Sequence, residues 1–237
     1  MKDTPPPNAP QAVQELIDRM EAVQGGLDPR DGVACFNRMY LSVTRLLGGS
    51  LAEGFFADDA FTERLAVVFA GLYFDAVDAD LAGIRPHPVW TPVFGGRGDR
   101  RVWPAQFALA GMNAHIAHDL ALAVVATCEE RKRSPYVRSV HADYLKVNEL
   151  LERVEAEIRE AYEPPLLRLA TKDAEALEHI LSTFSVARAR DAAWATALTL
   201  WAQRDDPILR RATLSMVSAA VVMIGRLLVT PIVPPPG

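Results

Sequence analysis

His115, His118 and Asp119 lie in the middle of a stretch that is otherwise almost wholly apolar, P-A-Q-F-A-L-A-G-M-N-A-H-I-A-H-D-L-A-L-A-V-V-A-T-C-E from Pro104 to Glu129. A helix apolar around nearly its whole circumference belongs in a core. Burying imidazoles and a carboxylate there is costly unless each finds a partner. Ionisable groups in such a setting form either a site or a closed polar network. Imidazole with carboxylate suits zinc, iron or manganese, and a metal-bound water of lowered pKa is a nucleophile for hydrolysis. Without a metal, the same groups serve as acid and base.

The residues that could complete such a site sit on other helices. At about 100° per residue, His115, His118 and Asp119 share one sector of their helix. Gln106 and Asn113, seven apart, form a separate stripe suited to helix–helix hydrogen bonding. The next helix has an apolar stripe of Val140, Val147, Leu150, Leu151, Val154 and Ile158, with Asp143 near its middle. Further on, Phe184, Ala187, Asp191, Trp194, Leu198 and Trp201 recur at three- and four-residue intervals, and Asp191 takes a place that packing alone would give to leucine. Asp75 lies among Val68, Leu72 and Ala79. The expected metal ligands are therefore His115, His118, Asp119 and Asp75, with Asp143 and Asp191 as catalytic carboxylates; helical bundles build metal sites from inward-pointing sets of this kind.

Stepping along the chain, helical periodicity dominates and no alternating strand pattern appears. Helices are expected over about 11–24, from an Asp28-Pro29 cap to about Leu47, over 61–81, through the central stretch, over 139–162, along 172–203 with one break, and from Asp206-Pro207 onward. Between them, residues 83–104 carry repeated prolines and glycines and form a long loop that Trp90, Phe94 and Trp103 can pin down. Such loops are more often functional than incidental, and this one can fold His87 over the site. The fold class is all-α: a single-domain bundle of about seven helices around a buried central helix. Residues 1–10 read as a disordered lead-in without the apolar core of a signal peptide, 11–230 as the domain, and 231–237 as a flexible tail.

Composition narrows the function. The net charge of −5 argues against nucleic acid as a partner. Arg226 leaves only 14 uncharged residues from Ala212 to Gly225, short of the roughly 20 that cross a bilayer, so the expectation is a buried C-terminal helix and no membrane. Cys35 and Cys128 form no CxxC pair and read as small buried residues, consistent with a reducing, cytoplasmic setting. The Glu-x-x-His pair of diiron bundles, H-E-x-x-H, a Walker-type phosphate loop and G-x-S-x-G are all absent. The convergence of buried ionisable groups points to a metal-dependent enzyme, most simply a hydrolase with a small-molecule ligand. Its alternatives are a metal-free binding protein or cyclase/isomerase-like enzyme with an apolar pocket, and a non-catalytic helical scaffold with a closed polar core.

The segments F-N-R-M-Y (Phe36 to Tyr40), V-V-F-A-G-L-Y-F (Val67 to Phe74), Q-F-A-L-A-G-M-N-A-H-I-A-H-D-L (Gln106 to Leu120) and D-Y-L-K-V-N (Asp143 to Asn148) resemble an uncharacterised family of bacterial helical proteins of about this length. The resemblance implies the same boundaries and no particular chemistry. The order His87, His118-Asp119, Asp191 is also similar to that of the HD-type metal phosphohydrolases. The chain departs from them where His87 falls in a proline-rich loop and L-A-L-A follows Asp119.

Overall fold

The computed structural model describes residues 9–151 and 185–232. Helix α1 (Gln11–Gly25) leads to α2 (Gly32–Ala52), whose first turn is capped by the Asp31 carboxylate accepting from the Val33 N–H. The Asp28-Pro29 pair does not open α2 as expected. Asp28 instead closes the preceding turn, accepting from the Arg30 N–H, and Asp31 takes the capping place. Asp58 caps α3 (Asp59–Leu81) in the same manner, and α5 (Pro104–Ala114) starts on its proline. A π-helical turn, His115–Asp119, joins α5 to α6 (Leu120–Glu130). Then come α7 (138–151), α8 (Val186–Ala202) and α9 (Pro207–Leu228). Among the described residues there is no strand. The fold is all-α and a single domain, as the periodicity implies.

The segment 83–104 is more structured than a loop. It holds a 3₁₀ turn, Pro88–Trp90, and a short helix α4 (Thr91–Gly96), each with a proline at its first positions. Trp90, Phe94 and Trp103 are all buried, as their anchoring role requires. Expectations for residues 1–8, 152–184 and 233–237 lie outside the described residues; they include the end of the fifth helix and the first part of the 172–203 stretch.

The stretch Pro104–Glu130 is the core of the molecule, 89% buried over its most apolar window. Helices α2 and α9 pack along α5, α3 and α8 along α6, and α1 closes over α2 and α3. Phe36 of α2 reaches so close to α5 that a Cβ built on Gly111 would stand 2.4 Å from its ring. That ring is wedged against Tyr73 and Trp90 and has nowhere to go. Gly111→Ala is therefore expected to lower unfolding stability by roughly 1–3 kcal/mol through overpacking; a denaturant midpoint equal to that of the parent protein would contradict this packing.

The C-terminal helix differs from expectation. It has the length and composition to cross a membrane, yet only 11% of its most apolar window is buried. Val221 and Gly225 form its buried line, whereas Met216 is 75% exposed and Met223 and Leu227 lie on the outer surface too. Hydropathy reads how apolar a helix is, not how much of it meets a neighbour. Besides the packing of Leu214, Val217, Val221 and Val222 on the core, amides hold α9: the Asn113 amide donates to the Val221 carbonyl at 2.8 Å, and the Gln106 amide donates to the carbonyls of Leu228 and Thr230 at 2.7 and 2.8 Å. The expected role of the Gln106 and Asn113 stripe is met.

Candidate functional site

The central helix gains one residue at the point where its ionisable groups sit. The Leu120 N–H reaches back five residues to the His115 carbonyl, the mark of a π turn, which often accompanies a functional site. The bulge changes how the side chains are aimed. His115 is turned toward an apolar cavity between α2, α3 and α7, and His118 toward an open cleft beneath α9. Asp119 stands between them.

Its carboxylate collects three donors. The His118 Nδ1 lies 2.7 Å from Oδ1, and the His115 Nδ1 lies 3.2 Å from Oδ2, which also accepts from the Trp90 Nε1–H at 3.0 Å. An ionised carboxylate only accepts, so these contacts assign the proton of both neutral imidazoles to Nδ1. Burial alone would push the Asp119 carboxyl up, but the hydrogen bonds from His115 and His118 outweigh it and hold the group below its ordinary value. The hub is an anion, 3% exposed, ringed by N–H groups.

His115 is 2% exposed and flat against Phe69, ring centroids 3.6 Å apart, with Tyr40 at 4.6 Å. Burial holds its pKa below the usual imidazole value, against the opposing pull of Asp119. In the unfolded chain His115 takes up a proton below pH about 6.5. Between that pH and its lower folded value the unfolded state binds more protons, so stability is full at neutral pH and falls as pH drops through this window. His87, also held low by partial desolvation first and His118 second, acts in the same direction. His115 should contribute a slope approaching ~1.4 kcal/mol per pH unit, removed in His115→Phe. Denaturant titrations at several pH values between 7 and 5 measure it, and an identical slope in the variant would contradict the assignment.

The cleft measures about 760 Å³. His118 and Asp119 form part of its wall with Trp90 and Asp75, while α9 supplies Arg210, Arg211, Ser215 and Ser218. His87 stacks on His118 with centroids 4.8 Å apart, so the 83–104 segment does fold it over the site.

The structure brings the expected site residues together only in part. His115, His118 and Asp119 touch, but as a hydrogen-bonded set whose two rings line different chambers. Among the described residues, no group of three or more His, Cys, Asp and Glu side chains is placed to hold a metal ion. Asp75 is exposed and lines the cleft. Asp143 is buried but away from the imidazoles' carboxylate, its two oxygens accepting from the Ala57 and Asp58 N–H groups at 2.8 Å each, where they fix the entry to α3. Asp191 does not point inward as the stripe implied; it is exposed, and the neighbouring Arg190 is buried instead. Arg190 can take that place because its guanidinium donates to the Asn148 side chain and the Tyr144 carbonyl and lies 4.2 Å over the Tyr144 ring. Trp90 was legible as an anchor but not as a donor to Asp119; the signal was that a buried indole N–H needs an acceptor. Both cysteines are buried and free, their thiols pushed up to about 11 mainly by burial, and so are poor nucleophiles.

Residues 13–231 match the model of a family described as Family of unknown function (DUF5995), and the chain belongs to that family. No curated protein and no solved structure matches the chain.

Proposed function

We propose that this member of a family of unknown function is a hydrolase for a small anionic molecule, with His118 as general base and Asp119 as the residue that orients it. The observation that carries the reading is the 2.7 Å contact between His118 Nδ1 and Asp119 Oδ1 in the wall of the cleft. It fixes the tautomer in which Nε2 carries the lone pair, and that nitrogen is the one left for the cleft. In the reaction, His118 Nε2 takes a proton from water as the water oxygen attacks the electrophilic centre, then returns it to the leaving group. The buried Asp119 anion stabilises the imidazolium formed in between, and the guanidiniums of Arg210 and Arg211 offset negative charge developing on the substrate.

Arg211 supplies the test of the substrate's charge. It is exposed on the cleft rim and forms no ion pair with a described residue, whereas Arg210 stands 3.7 Å from Glu129. With p-nitrophenyl phosphate and p-nitrophenyl acetate as probes, Arg211→Ala should raise KM for the anionic ester by roughly ten- to a hundredfold, as expected for losing a charge-assisted contact, and leave the neutral one little changed. Equal effects on both, or turnover of neither probe, would count against the reading.

A second reading places a divalent ion such as zinc, iron or manganese in the cleft. It rests on His87 lying beside His118, a pair with no third such side chain placed to complete a metal site among the described residues. Asp119 would then support His118 from behind, as carboxylates commonly do for metal-bound imidazoles. Metal analysis of untagged protein decides: a bound ion lost in His87→Ala/His118→Ala supports it, and none in either protein removes it.

A further inference from the structure

The polar atom that neither reading uses is His115 Nε2. It is fully buried and has no hydrogen-bond partner among the described residues, while the opposite side of the same ring is held by Asp119. An orphaned buried acceptor is unfavourable and calls for an explanation. The ring faces a cavity of about 100 Å³ whose lining is overwhelmingly apolar, including Met39, Val43, Leu65, Phe69 and Ile116. Dry cavities of this order take small apolar molecules. Two charged residues in the lining are already bonded: Asp143 to backbone amides, and Arg190 to Asn148 and the Tyr144 carbonyl.

The nature of the ligand's polar group follows from the proton on Nδ1. With that proton facing Asp119, Nε2 of the neutral ring is an acceptor, so it needs a donor from the ligand. Tyr40 lines the same cavity, and burial, with the Asp119 charge adding to it, keeps its phenol protonated. Tyr40 is thus a donor. A hydroxyl is both donor and acceptor, and can serve the two residues at once; a carboxylate would bring a second anion toward Asp119 and offer Nε2 no proton. We infer that this cavity is a binding site for a slim lipophilic alcohol, its chain among the apolar side chains and its O–H donated to His115 Nε2. The site lies across Asp119 from the cleft and does not depend on the hydrolytic reading.

The test uses the full chain labelled with ¹⁵N-histidine and three probes: 1-hexanol, n-hexane and hexanoate. Saturable binding of 1-hexanol is expected, with the His115 Nε2 resonance moving from that of a free acceptor toward a hydrogen-bonded one. Hexane should bind roughly tenfold more weakly, the worth of one buried hydrogen bond. In His115→Phe, which keeps the stack on Phe69, the alcohol should lose its advantage over hexane. Ala66→Leu narrows the cavity while keeping His115 and should abolish binding of both, which keeps the test decisive even where the His115 variant does not fold. Hexane binding as tightly as the alcohol, hexanoate binding more tightly than either, no saturable binding, or a protonated Nε2 would each overturn the proposal.

Discussion

Replacing Asp119 by alanine is expected to lower the free energy of unfolding by roughly 3–5 kcal/mol, the range for removing one member of a buried charged network. The substitution leaves three buried donors without their acceptor: the Nδ1–H groups of His115 and His118 and the Trp90 indole N–H. It also frees Trp90, the residue that ties the 3₁₀ turn to the central helix. Asp119→Asn keeps the shape but can accept at only one of its two positions, and should fall between parent and alanine variant. Urea denaturation at pH 7, where the carboxylate is ionised in the folded state, measures both. A loss below about 1 kcal/mol in the alanine variant, the size of one ordinary hydrogen bond, would mean the three donors find other partners and the carboxylate is not the hub.

His118→Ala carries the largest expected effect on turnover. Loss of a positioned general base lowers the rate by roughly 10²–10⁴-fold, and the substrate's KM should hardly move because Arg210 and Arg211 are untouched. The fold should survive, since His118 lies at the cleft wall and the Asp119 carboxylate keeps His115 and Trp90. The comparison of kcat with KM separates chemistry from a general loosening, which would raise KM as well. A variant that turns over within threefold of the parent would leave His118 without a catalytic role.

How far the sequence speaks for this site depends on the kind of signal. His115, His118 and Asp119 stand out because ionisable groups are rare in so apolar a helix, and the Gln106 and Asn113 stripe because amides seven apart share a face. The π turn left no trace in the pattern: a face assignment at fixed angular steps assumes a regular helix, and one extra residue sends His115 and His118 to different chambers. Asp191 and Arg190 are adjacent, and a stripe of apolar residues cannot say which neighbour turns inward. That choice was settled by Asn148 and Tyr144 on another helix, a contact distant in the chain. The 3₁₀ turn and α4 were not legible, because prolines spaced among glycines read as a loop although each opens a short helical turn. In the C-terminal helix, composition carried the wrong inference because Met216, Met223 and Leu227 are left largely exposed.

The way Gln106 and Asn113 grip α9 has a consequence for how the cleft can change. Their amides bind main-chain oxygens, and a main-chain oxygen is the same whatever side chain it carries. The positions over the cleft, Arg210, Arg211, Ser215 and Ser218, can thus be exchanged while those amide bonds keep the helix in place. The imidazoles and their carboxylate sit on a crowded core helix where almost nothing can be altered. Under the proposed reaction, chemistry and selectivity would be written on separate helices, one fixed and one free to vary.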